Sequence, residues 1–156
     1  MEPRLDLFTN PVIGKMLKHV IAAGRAAEGS GVPTPTLNLV MIRASQINGC
    51  SGCLDMHVKD AAAAGETAVR LALVAAWREA KVFTEPEKAA LELTEAGTRI
   101  ADSAGVSDEV WEKAAKHYDE AQLGALVGCI AMINTFNRFN VMTQQPAGDY
   151  VPGMYN

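Results

Sequence analysis

The chain has 156 residues, of which 49% are apolar and 6% aromatic, and its net charge at pH 7 is −4. This length suits one domain with its own core, and the mild charge, with both signs interspersed, argues against nucleic-acid or membrane-surface partners. No apolar run is long enough to cross a bilayer, and the charged N-terminus lacks a signal-peptide core. Because Ala, Leu and Val dominate, we expect an all-α, single-domain protein over residues 1–156, located in the cytoplasm.

The first part of the chain carries four predicted helices. Asn10 is a suitable N-cap for the first, with Pro11 at the first helical position. A glycine-rich stretch ends this helix, Asn48-Gly49 separates the second from the third, and Gly65 ends the third. The predicted helices span residues 11–27, 34–46, 50–64 and 66–81.

Three more helices are predicted in the second part of the chain. Thr84 and Glu87 form a capping box before the fifth helix, which runs to about residue 102, and Ser107 caps a sixth that ends near 118. The seventh, 120–141, is apolar over much of its circumference, which predicts a central or interface position. Residues 143–156, with two prolines and two glycines, form an irregular tail. We therefore expect a bundle of about seven helices that self-associates.

The segment from Cys50 to His57 holds two thiols and an imidazole within eight residues. If a helix starts near Cys50, then at about 100° per residue Cys53 lies about 60° and His57 about 20° from it. All three then share one face, with Cys53 and His57 at the i,i+4 spacing at which side chains touch. Thiolates are favoured at helix N-termini and beside a group that accepts their proton. The spacing predicts a redox dithiol with its own base.

The cysteines allow two other interpretations. The first is half of a structural zinc site, but such sites draw four ligands from clustered pairs, and the remaining candidates, Cys129, His19 and His117, are each isolated. Two inert, buried cysteines are the other, since free cysteine is often a small buried hydrophobe. Redox chemistry is favoured, and no metal or cofactor is expected.

The sequence around the dithiol also resembles a known family. The run from Leu37 to His57, LNLVMIRASQINGCSGCLDMH, is similar to the core of the alkylhydroperoxidase D-like proteins, which belong to the wider carboxymuconolactone decarboxylase family. Similar blocks follow in the same order, so that the resemblance covers roughly residues 5–142. These blocks lie at 65–67, 76–80, 83–84, 87–91 and 133–138.

The resemblance implies an all-helical homo-oligomer, a trimer or a hexamer built as a trimer of dimers, that reduces hydroperoxides with its CxxC pair. Cys53 matches the cysteine that attacks the peroxide and becomes a sulfenic acid, and Cys50 the one that resolves it as a disulfide. His57 matches the histidine of the proton relay. A dithiol donor, a lipoyl group or a thioredoxin-like protein, would recycle the enzyme. Decarboxylase members of the family lack the CxxC pair, which argues against lactone decarboxylation.

Two positions depart from the family pattern. The family has a glutamate twelve residues before the first cysteine, where this chain has Asn38, and an amide cannot take up a proton as a carboxylate can. Some members carry a histidine where this chain has Gly52. The predicted catalytic residues are therefore Cys53, Cys50, His57 and the altered relay position 38. The alternatives are a redox-sensing module, a structural oligomer with a weakened site, and a different enzyme activity on the same scaffold.

Overall fold

The computed structural model describes residues 2–155, in which all regular structure is helical. The all-α prediction of about seven helices is confirmed. Met1 and Asn156, the ends of the predicted domain, lie outside the described residues. The helices are α1 (Ile13–Arg25), α2 (Thr34–Asn48), α3 (Ser51–Ala63), α4 (Ala68–Leu73), α5 (Glu85–Thr98), α6 (Asp108–Ala115) and α7 (Glu120–Thr143).

Short polar side chains start several of these helices, as the sequence predicts. Thr84 and Glu87 form a complete capping box at α5, and the Ser107 side chain caps α6. Asn10 accepts hydrogen bonds from the backbone N–H groups of Val12 and Ile13 at 3.1 and 3.0 Å, although α1 itself begins two residues later than predicted. These caps satisfy N–H groups that have no partner inside the helix.

The predicted fourth helix, 66–81, is wrong in its second half. α4 ends at Leu73, a 3₁₀ turn covers Val74–Ala76, and non-helical turns follow. Trp77 and Arg78 bond to Glu95 of α5 through the indole Nε1 and guanidinium Nη1, at 2.9 and 2.7 Å. We attribute the break to these tertiary bonds, which override the local helix propensity. α1, α5 and α6 also end early, at Arg25, Thr98 and Ala115 rather than at 27, 102 and 118, whereas α2 continues to Asn48 instead of 46.

The middle of the bundle is built around α2 and α7. α2 packs against α3, α5 and α7, and its side chains Leu39, Val40 and Ile42 are almost completely buried. Leu126 and Ile133 of α7 are buried as well, in keeping with its apolar sequence. Among the described helices, none combines the length and the apolarity needed to cross a membrane.

Asparagines of α7 form a buried polar network with the end of α2. The Asn48 amide donates to the side-chain oxygens of Asn134 and Asn137, both at 2.9 Å. Asn134 donates in turn to Thr98, and Asn137 to Ser45, at 3.1 and 3.0 Å. Buried amides are costly unless they are bonded in this way. The network fixes the end of α2, from which the chain turns into α3.

The C-terminal tail is irregular but is held against α3. Thr143 belongs to α7, so the irregular part begins one residue later than predicted. Asp55 of α3 accepts from the backbone N–H of Gly148 at 2.7 Å, and Lys59 donates to the carbonyls of Gly148 and Tyr150 at 2.9 and 2.8 Å. We call residues 145–155 the C-terminal strap. Its contacts place it beside the helix that begins at the dithiol.

Candidate functional site

The two cysteines lie at the N-terminus of α3. Gly49 adopts a left-handed conformation, with φ of 66°, which closes α2 and turns the chain. Cys50 is the N-cap of α3, and its sulfur accepts from the backbone N–H of Cys53 at 3.3 Å. The pair is disulfide-bonded, with a Cα–Cα distance of 5.4 Å, and only 1% and 2% of the two residues is exposed. The structure is thus the oxidised form of a CxxC pair.

His57 lies one helical turn after Cys53 and is 9% exposed. Its Nε2 atom has no hydrogen-bond partner within residues 2–155. Burial disfavours the imidazolium and lowers the pKa of His57 from 6.5 to about 4, although the charge of Asp60 opposes the shift. The ring is therefore neutral at pH 7, and it carries a buried nitrogen with unused bonding capacity.

Asn140 contacts the dithiol although the sequence did not predict it as a site residue. Its side-chain Nδ2 lies 3.1 Å from the Cys53 sulfur and donates to it from α7, across a sequence separation of 87 residues. One signal could have found it, because Asn134, Asn137 and Asn140 recur every three residues on an otherwise apolar helix. At that spacing they share one face, and the first two meet the end of α2.

Asn38 lines a cleft of about 130 Å³ to which none of the other three predicted site residues contributes. Ala61 of α3 and Ala64, which follows this helix, also line it. Ala61 follows His57 by one helical turn, so the cleft begins one turn beyond the imidazole. In the part of the chain that the structure describes, no hydrogen bond joins Asn38 to His57 or to a cysteine.

A larger cleft, of about 400 Å³, opens beside the dithiol. Cys50, Asn140 and the first residues of the C-terminal strap line it, and none of its lining side chains is charged. A Cβ atom at Gly52 would already touch the Pro146 carbonyl oxygen at 3.5 Å. This is an ordinary van der Waals distance, so position 52 lies in contact with the strap.

The third cysteine and the other two histidines are not part of this site. Cys129 is buried, and burial raises the pKa of its thiol to about 12. His19 and His117 are exposed. No group of three or more His, Cys, Asp or Glu side chains that could hold a metal ion occurs among residues 2–155.

The fold and the dithiol are those of an alkylhydroperoxidase D-like protein. Residues 14–96 match the model of the carboxymuconolactone decarboxylase family, and the chain belongs to that family. An uncharacterised relative, YdfG of Bacillus subtilis (strain 168), is 44% identical over 125 residues, which cover 80% of this chain and 84% of YdfG.

Solved structures extend this likeness. A protein of unknown function from Agrobacterium tumefaciens, suggested in its name to be the antioxidant defence protein AhpD, is 31% identical with a TM-score of 0.86. The match covers 96% of this chain and all (100%) of that one. The debrominase Bmp8, in complex with 2,3,4-tribromopyrrole, is 18% identical with a TM-score of 0.76, over 90% of this chain and 73% of its own. The debrominase shares the fold alone.

Proposed function

We propose that the protein is a thiol-dependent peroxidase, an antioxidant oxidoreductase that reduces hydroperoxides through Cys50 and Cys53. The observation that carries the proposal is the CxxC disulfide at the N-terminus of α3, beside an open, uncharged cleft. Membership of the family and the likeness to an AhpD candidate support the same chemistry. The cytoplasm, where most thiols are kept reduced, is the proposed location.

The proposed cycle has three balanced steps. The Cys53 thiolate attacks the terminal peroxide oxygen, the O–O bond breaks, and the leaving alkoxide takes a proton to become an alcohol. The sulfur is thereby oxidised to a sulfenic acid. The Cys50 thiol then displaces water from this sulfur and forms the disulfide. A dithiol donor, a lipoyl group or a thioredoxin-like protein, returns two electrons and two protons and is itself oxidised to a disulfide.

In this scheme His57 serves as the proton acceptor nearest to Cys53. The i,i+4 spacing places the two side chains on one face, and the unpaired Nε2 can accept a hydrogen bond. A pKa of about 4 makes His57 a weak base at neutral pH. The N-terminus of α3 therefore has to supply part of the thiolate stabilisation, since its N–H groups favour negative charge there.

We propose that the working form is a homo-oligomer, a trimer or a hexamer. Apolar side chains stand exposed on α1 and at the end of α7, with Val12 65%, Met16 48% and Met142 62% exposed. α1 packs against α7, and contiguous apolar surface is the kind that marks contact sites in proteins. Light scattering at micromolar concentration should give a mass that is a multiple of the 16.6 kDa chain. A single-chain mass would refute this part of the proposal.

The test of the activity is steady-state peroxide consumption with dihydrolipoyl and thioredoxin-type donors compared side by side. Cys53→Ser should abolish consumption, and His57→Gln should lower turnover by about 10²-fold or more, the usual contribution of a general base. Cys129→Ser is the matched control and should keep the activity, because its thiol is buried and away from the dithiol.

A redox-sensing module is the second candidate. The observation that favours it is that His57 has no carboxylate partner at position 38, while both cysteines are buried beside the strap. It predicts a reversible disulfide with slow turnover whichever donor is supplied. Thiols that stay unreactive towards peroxide would instead indicate a structural oligomer.

A further inference from the structure

We propose that Asn140 is a catalytic residue of the dithiol, whose side-chain amide stabilises Cys53 as a thiolate each time the disulfide is opened. The inference rests on the proposed redox cycling of Cys50 and Cys53. It starts from the 3.1 Å contact between Asn140 Nδ2 and the Cys53 sulfur. An amide N–H is a donor at every pH of interest, and a charged acceptor strengthens such a bond.

Because the surroundings of the Cys53 sulfur are apolar, a single hydrogen-bond donor to that sulfur is important. The sulfur lies in an apolar cluster with Ala44 and Ile133, against which Met41 and Phe136 pack. A thiolate in such a setting is costly unless it is hydrogen-bonded, and each bond counts for more than it does in water. Two titratable side chains share this face of α3: His57 is neutral at pH 7, and Asp60, two turns after Cys53, acts on His57 through its negative charge, so neither brings a positive charge.

The two sulfurs receive their donors from different elements. Cys50 accepts from the backbone N–H of Cys53, within the first turn of α3. Cys53 accepts from a side chain of α7 instead. A substitution can therefore remove the donor to Cys53 without altering the backbone of the dithiol helix. This separation makes the role of Asn140 testable.

In the proposed exchange the reductant enters through the cleft beside the dithiol and attacks Cys50, which, like Cys53, is almost fully buried in the closed structure, at 1% and 2% exposed. Cys50 and Asn140 line this cleft, whereas Cys53 does not. A donor thiolate entering it forms a bond to the Cys50 sulfur, the Cys50–Cys53 bond breaks, and Cys53 departs with the electron pair. The departing thiolate is the atom that Asn140 holds. A second thiol of the donor then displaces Cys50 and leaves the donor as a disulfide. Stabilising the leaving thiolate speeds such an exchange.

The experiment compares Asn140→Leu, Asn140→Asp and Asn140→Gln. The pH midpoint of Cys53 alkylation is measured in chains that also carry Cys50→Ser and Cys129→Ser, so that Cys53 is the thiol that reacts. The reduction potential of the disulfide is measured in chains that keep Cys50 and Cys53. Leucine removes the donor and should raise the midpoint by about one pH unit, which is about tenfold less thiolate at neutral pH. Aspartate has the same size but puts a negative charge beside the sulfur, so its midpoint should rise further. The reduction potential of the disulfide should become more negative in the leucine and aspartate variants. Glutamine keeps an amide and should shift the alkylation midpoint and the potential least.

Thr135→Val is the control, because Thr135 is also on α7 but its hydroxyl donates to the Ala131 carbonyl at 3.0 Å rather than to a sulfur. It should leave the midpoint unchanged, and thermal unfolding checks that all variants are folded. A lower melting temperature with an unchanged midpoint and potential in both the leucine and aspartate variants would overturn the inference. If the midpoint shifts but the wild type consumes no peroxide, the inference stands and the peroxidase proposal fails. If the wild type consumes peroxide but the variants leave the midpoint and the potential unchanged, the inference fails and the peroxidase proposal stands.

Discussion

Two buried titratable side chains, Glu95 on α5 and His57 on α3, differ in how the protein accommodates them. Burial would raise the pKa of Glu95, but hydrogen bonds from Trp77, Arg78 and Arg43 outweigh it and hold that pKa below its usual value. Burial lowers the pKa of His57 to about 4, and its Nε2 has no partner in the described chain. One group is fully bonded in its charged form, whereas the other is kept neutral.

This difference separates a structural site from a candidate chemical one. A buried charge with several well-placed partners stabilises a packing arrangement, and here it ties α5 to α2 and to the segment after α4. A buried polar atom without a partner costs folding free energy, so its presence needs an explanation of another kind. Beside a dithiol, the explanation that we propose is proton transfer, since perturbed groups of this kind gather at functional sites.

The largest expected effect is on stability at the Glu95 cluster. Glu95→Leu removes the acceptor of the Trp77 indole and one of two acceptors of the Arg43 guanidinium, which also donates to Gln46 at 3.1 Å. We expect a loss of about 3–5 kcal/mol in the free energy of unfolding, as for other broken buried pairs. Urea unfolding measures it.

Glu92→Leu is the matched control for this prediction. Glu92 is on the same helix and pairs with Lys113 at 3.3 Å near the surface, so its loss should cost less than about 1 kcal/mol. Equal losses in the two variants would mean that the Glu95 cluster is not the structural site described above.

The next effect is the pH dependence that His57 gives to stability. The pKa of His57 is about 4 in the folded protein and 6.5 ordinarily, so the unfolded chain binds the proton first. The stability from keeping it neutral is present above pH 6.5 and is lost as the pH falls from about 6.5 to 4. Between pH 7 and 5 the loss is about 2 kcal/mol.

His57→Leu should remove this part of the acid sensitivity, as measured by urea unfolding at pH 7, 6 and 5. Glu95, whose pKa lies below its ordinary value of 4.5, contributes stability above that value and loses it only at lower pH. The two groups thus titrate in different windows. An unchanged slope between pH 7 and 5 in the leucine variant would show that His57 is not buried as a neutral ring.

The smallest expected effect concerns position 38. Asn38→Glu restores a carboxylate in the cleft that begins one turn beyond His57, and a nearby negative charge makes an imidazole more basic. We expect about a tenfold higher rate of peroxide reduction, or about 1.4 kcal/mol in the barrier. The pH midpoint of Cys53 alkylation should fall as well. Asn38→Gln, which has the same length without the charge, should change neither, and no change with glutamate would mean that residue 38 does not act on the dithiol.

The parts of this molecule that were predictable depend on neighbours in sequence. The dithiol helix follows from the spacing of Cys50, Cys53 and His57 after a glycine turn, because a helix brings residues three and four apart onto one face. The capping box of Thr84 and Glu87 likewise depends on residues three apart in sequence. A stretch of about one helical turn is enough to predict the dithiol helix or the capping box.

The unpredicted parts depend on contacts between distant residues. The break after Leu73 accompanies bonds to Glu95 on another helix, and Asn140 reaches Cys53 across 87 residues. The strap was expected to be irregular, yet its attachment to Asp55 and Lys59 depends on how α3 and the tail meet in space. No pattern within a single helical turn contains that information.

The third cysteine has a practical consequence for measurements on this protein. Cys129 lies in the core on α7, and burial raises its thiol pKa to about 12, so alkylating reagents should not modify it while the bundle is closed. It becomes reactive only when the surrounding helices separate. The rate at which it is labelled therefore reports global opening of the bundle, much as slow amide exchange does. One alkylation time course, resolved by peptide, would follow dithiol chemistry and unfolding together in an unmodified chain.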